Sequence, residues 1–96
     1  MENKPCRGRP KGTLANHAPY ARALGTVVKQ LRAIKKTSQE ELAITAGIER
    51  SHMGKIERGE HLPSLILLIK IAVALECETA ELMRRMEEHI AKADKI

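Results

Sequence analysis

The stretch Ser38-Gln39-Glu40-Glu41-Leu42-Ala43-Ile44-Thr45-Ala46-Gly47 runs directly into Ile48-Glu49-Arg50-Ser51-His52-Met53-Gly54-Lys55-Ile56-Glu57-Arg58-Gly59, and this segment decides the reading of the 96-residue chain. Ser38 is a good N-cap, and Glu41 three residues on completes a capping box, so a helix starts at Gln39. Through Ala46 it buries Leu42, Ala43 and Ala46. Gly47 then stops it, in the left-handed conformation that glycine adopts most cheaply. A second short helix, about Glu49 to Arg58, turns Met53 and Ile56 inward and ends at Gly59. Ala43 is small enough to sit where the two helices approach most closely. The opposite face of the second helix carries Arg50, Ser51, Gly54 and Lys55, with no apolar residue to bury.

The flanking sequence supplies what these helices pack against. Pro19 fits the first turn of a helix, where its missing N–H is not needed. Leu24, Val27, Val28, Leu31 and Ile34 follow at helical spacing and are expected to line one inward face. Lys35-Lys36-Thr37 ends that helix. Beyond Pro63, Ser64 caps a further helix running through Leu75. A last one starts near Thr79 and reaches Lys92 or beyond, with Leu82, Met83, Met86, Ile90 and Ala93 as its apolar stripe. The expected fold is all-α: five helices and no strand. Composition agrees, since the chain has no Trp, no Phe and only Tyr20, whereas strands favour aromatic and β-branched residues.

Two short helices joined through one glycine, the second offered to solvent, form the pattern of a helix-turn-helix. Its second helix suits a major groove about 12 Å wide. Charge points the same way. Residues 1–19 hold four basic side chains against one acidic, residues 20–58 eight against four, and residues 59–96 five against seven. A basic first half thus precedes an acidic second half within a net charge of +5. That suits one face for a polyanion and another for a different partner. The longest aliphatic run, Leu65 to Ile69, is far short of the roughly 20 residues of a membrane span, and no export signal is evident. A reducing cytoplasm, with association to the nucleoid, is therefore expected for Cys6 and Cys77. His17, His52, His61 and His89 are scattered without metal-ligand spacing. No nucleophile–base pair or phosphate-binding glycine loop argues for an enzyme. No metal, cofactor or small-molecule ligand is implied.

The segments Ser38-Gln39-Glu40-Glu41-Leu42-Ala43, Ala46-Gly47-Ile48, Lys55-Ile56-Glu57-Arg58-Gly59 and Pro63-Ser64-Leu65, with Lys70-Ile71-Ala72 and Ala74-Leu75 beyond, resemble the Cro/phage-repressor (XRE) family of helix-turn-helix proteins. The resemblance covers about residues 22–83 and implies a lambda-repressor-like domain that reads double-stranded DNA. It implies that Gln39 touches a phosphate and braces the recognition helix. It places Arg50, Ser51 and Lys55 at base-facing positions, with Glu49, His52 and Arg58 beside them. It also implies a structural ion pair between Arg32 and Glu57, and inward positions for Leu65, Leu68, Ile71, Ala72 and Leu75. The chain departs from the family at three points. Gly54 stands where Ser is frequent. Glu49 stands where Ser or Thr caps the third helix, and could cap it, read a cytosine amine or repel phosphate. Glu76 stands where many relatives have Gly, so the turn there is expected to differ.

The domain is expected to span residues 19–96, with residues 1–18 as a basic arm. Within that arm Arg7-Gly8-Arg9-Pro10-Lys11-Gly12 resembles an AT-hook, which implies that Arg7, Arg9 and Lys11 enter an A·T-rich minor groove. The fourth helix has more aliphatic residues than one buried face needs. Ile66, Ile69 and Val73 form a second stripe, with Leu62 and Ile90 as neighbours, and helices 64–75 and 79–94 are the expected homodimer interface. The resulting expectation is a homodimeric repressor of transcription bound to a pseudo-palindromic operator. The rival is an antitoxin or bridging adaptor whose main partner is a protein.

Overall fold

Helix boundaries follow closely from the capping chemistry. The computed structural model describes residues 17–94, and among these it contains five helices and no strand. They are α1 (Ala18–Lys35), α2 (Gln39–Ala46), α3 (Arg50–Glu57), α4 (Leu65–Ala74) and α5 (Thr79–Asp94). Ser38 Oγ accepts from the Glu41 N–H at 3.0 Å, and Glu41 Oε1 accepts from the Ser38 N–H at 2.9 Å. That reciprocal pair fixes the start of α2. The Ser64 hydroxyl accepts from the Leu67 N–H at 3.2 Å and fixes the start of α4.

Four helix ends close in one way, with the backbone N–H groups just past the helix folded back onto its last carbonyls. The residue that makes each turn is left-handed: Lys36 (φ 60°), Gly47 (φ 77°), Gly59 (φ 76°) and Glu76 (φ 58°). After α4 the Glu76 N–H reaches Val73 O and the Cys77 N–H reaches Ala72 O, both at 2.9 Å. The turn expected to differ there therefore keeps the geometry a glycine would have given, with Glu76 itself in the left-handed conformation.

Packing closes a ring: α1 on α3, α3 on α2, α2 on α4, α4 on α5, and α5 back on α1. Leu24, Val27, Leu42, Met53, Ile56, Ile71 and Leu82 meet at its centre, each fully buried. Gly25 lets the ring close. A Cβ on it would lie 2.5 Å from the Glu57 carbonyl oxygen and 2.7 Å from that of Ile56, so α1 crosses the end of α3 at backbone contact.

Three aliphatic residues expected inside are outside. Ile34 is 70% exposed because the end of α1 meets the domain through Leu31, Arg32 and Lys35, and Ile34 lies about 100° round the helix from Lys35. Leu65 is also 70% exposed, since it occupies the first turn of α4, ahead of the residues that meet α2 and α5. Met83 is 41% exposed because it lies about 100° round the helix from Leu82, at the edge of the stripe. The side chain of Ala93 falls outside those described. No described helix is long and apolar enough to cross a membrane.

Candidate nucleic-acid interface

The α3 helix has two faces of opposite chemistry, and its inner face is held by a buried polar cluster as well as by Met53 and Ile56. Glu57 is 4% exposed. Arg32 of α1 donates to it with a two-pronged fork, Nε to Oε2 at 2.8 Å and Nη2 to Oε1 at 2.9 Å. Gln39 Nε2 donates to the same Oε1 at 3.0 Å, and Arg32 Nη1 donates to Thr37 O at 3.1 Å. A buried carboxylate is tolerable only when paired and hydrogen-bonded, and here it is both. Through Glu57, the cluster ties α3 to α1 and to the first residue of α2.

The outer face is the site. Arg50, Ser51, Gly54, Lys55 and Arg58 line one shallow open depression together with Gln39. Arg50, Gly54 and Arg58 follow each other at four-residue spacing, which stacks them on one side of the helix. Arg50, Ser51, Lys55 and Arg58 are exposed. Arg58 is already engaged, its Nε and Nη2 donating to Glu60 Oε2 at 2.9 Å and Oε1 at 3.3 Å. The hydrogen bond from Arg58 holds the Glu60 carboxyl below its ordinary pKa, and the charges of Arg58 and Lys55 add to that.

Glu49 and His52 adjoin these residues in sequence but do not line the depression. Glu49 is the N-cap of α3 by its backbone, but its side chain makes no capping bond, and the residue is exposed beside Arg50. His52 is half-buried and stands edge-on to His61, ring centroids 4.7 Å apart. Gly54 makes room for a side chain rather than for backbone: a Cβ there would lie 3.0 Å from Arg58 Nη1 and 3.6 Å from Gln39 Oε1. Arg7, Arg9 and Lys11 lie outside the described residues. On α4, Ile66 and Val73 are each 68% exposed and Ile69 is 42% exposed, with Leu62 at 37% in the preceding loop. Ile90, on α5, is half-buried and packs against the core.

Two residues that position this site had not been singled out. Gly25 had a signal in the sequence, as a glycine inside an otherwise well-formed helix costs about 0.5–1 kcal/mol relative to alanine and needs a reason. Glu60 had none, because its role depends on the turn at Gly59 bringing it back to Arg58.

A pair of short helices joined through a left-handed Gly47, the second pinned on its inner face and presenting cations on its outer face, defines a helix-turn-helix domain. A helix-turn-helix family model matches residues 28–82, and the chain belongs to that family. It is 39% identical over 62 residues to the uncharacterized HTH-type transcriptional regulator YgzD of Bacillus subtilis, covering 65% of this chain and 94% of that one. Longer relatives are matched only in part: the shared region is 40% of the B. subtilis HTH-type transcriptional regulator SlrR and 31% of the Escherichia coli regulator SutR. Among solved structures, the restriction-modification controller protein C.AhdI of Aeromonas hydrophila superposes with a TM-score of 0.63 at 40% identity, covering 65% of this chain and 94% of that one. The clp gene regulator ClgR of Corynebacterium glutamicum superposes with a TM-score of 0.75 at 25% identity, covering 78% of this chain and 80% of that one.

Proposed function

We propose that this protein is a transcriptional regulator that binds a specific double-stranded DNA operator as a homodimer and represses by occluding a promoter. The observation that carries the reading is the outer row of α3. Arg50, Ser51, Lys55 and Arg58 form a cationic, hydrogen-bonding surface on a helix whose inner row is fixed to α1 and α2. Such a helix enters the major groove as a rigid body, and Arg50 and Lys55 supply the donors that guanine O6 and N7 accept. Gln39, at the N-terminus of α2, faces the backbone beside them, and Glu49 and His52 border the groove. Arg7, Arg9 and Lys11 of the arm reach the neighbouring A·T-rich minor groove. Relatives that are named transcriptional regulators and controllers of restriction-modification support the reading.

The aliphatic outer row of α4, Ile66, Ile69 and Val73 with Leu62 beside it, pairs two copies about a two-fold axis. A dimer of this kind sets two recognition helices about 34 Å apart, one helical turn of DNA. Replacing Ile69 by Glu is expected to leave a folded monomer in analytical ultracentrifugation; an unchanged dimer would remove this row from the interface.

The deciding experiment is selection of bound fragments from the source genome, with footprinting of the winners at near-physiological salt. The expected result is a short pseudo-palindrome with half-sites about one helical turn apart and A·T-rich flanks. Deleting residues 1–12 is expected to flatten the salt dependence and weaken the preference for those flanks. Enrichment of no sequence, with binding that vanishes as salt rises, would instead favour an adaptor whose partner is a protein.

A further inference from the structure

The Arg58–Glu60 pair occupies the cationic face of α3 in a way the reading above does not explain. Arg58 is the residue just after α3 and stands in line with Arg50 and Gly54 at the edge of the open depression. Its guanidinium presents the two-donor edge that a phosphate would take, and both of those donors are filled by one carboxylate, at 2.9 and 3.3 Å. Both partners are well exposed, at 59% and 53% of their side chains, so the pair is open to competition from solvent ions.

The placement of Glu60 is built into the backbone. Gly59 turns at φ 76°, its N–H on Ile56 O at 3.1 Å, and the Glu60 N–H returns to Lys55 O at 2.9 Å. The turn is seated on α1, because a Cβ on Gly59 would lie 3.0 and 3.1 Å from Arg22 Cγ and Cα. The guanidinium is placed from the other side by Gly54, whose missing side chain leaves the space that Nη1 borders. The backbone that carries this carboxylate is thus held in place, opposite an arginine that borders the space left by a glycine in the recognition helix.

We infer that Glu60 is an internal stand-in for a DNA phosphate, which withholds Arg58 from non-cognate DNA and so contributes to specificity. On DNA of arbitrary sequence the pair stays closed and α3 makes its backbone contacts without Arg58. Where Arg50 and Lys55 find their bases, α3 sits deep enough for a phosphate to displace the carboxylate. This inference rests on the DNA-binding reading of α3 and adds to it a residue that acts against binding.

The test uses the full-length protein and a mixed-sequence duplex, with affinity followed by fluorescence anisotropy from about 50 to about 200 mM salt. Four proteins are compared: wild type, Glu60→Gln, Arg58→Ala and the double variant, each first checked for an unchanged thermal melt. Glu60→Gln is expected to bind several-fold more tightly than wild type. Its log–log salt slope should be steeper by about 0.9, the increment for one more phosphate neutralised. In the Arg58→Ala background the same replacement should leave the slope where it was. An unchanged slope for Glu60→Gln, a weaker affinity, or an equal steepening without Arg58 would each overturn the inference. Those outcomes leave DNA binding itself standing. If instead wild type fails to bind the duplex even at the lowest salt, the DNA-binding reading falls and the role of Glu60 falls with it.

Discussion

Helices α3 and α4 are built alike and face opposite ways chemically. Each has an inner row in the core, an outer row in solvent, and a left-handed residue turning the chain at its end. The outer row of α3 is Arg50, Ser51 and Lys55, continued by Arg58, whereas that of α4 is Ile66, Ile69 and Val73 with Lys70 among them. The inner rows differ as well. Among the described residues, those of the inner row of α4, Leu68, Ile71 and Ala72, are all apolar, while α3 adds the buried Glu57 with its partners Arg32 and Gln39. Apolar contact is tolerant of small shifts, because it has no direction. A two-pronged ion pair is not. The helix that must meet base edges at hydrogen-bonding distance is the one located by directional bonds, and the helix proposed to meet another aliphatic surface is not.

The largest effect expected from this difference is on the inner side of α3. Arg32→Ala leaves the Glu57 carboxylate buried with only Gln39, and the loss of one partner from such a pair costs about 3–5 kcal/mol. Chemical denaturation followed by circular dichroism measures it. A loss below about 1 kcal/mol, the range of surface ion pairs, would mean that apolar contact alone locates α3.

The outer row should answer in binding and not in stability. Lys55→Ala or Arg50→Ala is expected to leave the melting transition within about 0.5 kcal/mol of wild type, as for other surface changes. On the selected operator each should lose about 1–3 kcal/mol of affinity, the range for a side chain that bonds a base. Equal losses on operator and random duplex would assign that residue to phosphate instead, and would move sequence reading to Ser51, His52 and Glu49.

Much of this contrast was readable in the sequence, and what was not has physical causes. The capping box at Ser38 and Glu41 and the stop at Gly47 are local chemistry, complete within a few residues, and α2 begins and ends where they put it. The inner residues Leu42, Ala43, Ala46, Met53 and Ile56 follow from helical periodicity in the same way. Periodicity fails at helix ends, because it reports direction and not whether a partner lies there. Ile34 follows the periodicity and Leu65 the family pattern, and each is left 70% exposed. The contact of Glu60 with Arg58 and the crossing at Gly25 depend on the path of the chain after Gly59 and on the angle of α1, neither of which is written in any short motif. The turn at Glu76 is a related case: its residue type suggests a geometry unlike glycine's, yet Glu76 is left-handed and two backbone hydrogen bonds close α4 there.

The two turns provide the smallest pair of effects, and strain enters them with opposite signs. At the end of α3, Gly59 lies at φ 76° with Arg22 of α1 against the position of its absent Cβ. Gly59→Ala therefore adds left-handed strain of about 1–2 kcal/mol and some crowding, and should destabilise by at least that. At the end of α4, Glu76 carries the left-handed strain already, at φ 58°. Glu76→Gly relieves it, while the added glycine loosens the unfolded chain by roughly 0.5–1 kcal/mol. The replacement also removes the exposed ion pair with Lys35, 3.2 Å long, of the kind worth about 0–1 kcal/mol. The terms nearly cancel, centred on a gain of about 0.3 kcal/mol within a span of about −1 to about +1.5 kcal/mol, read as a small shift in denaturation midpoint. A clear loss would show that the Lys35–Glu76 bridge to α1 outweighs the strain relieved at Glu76.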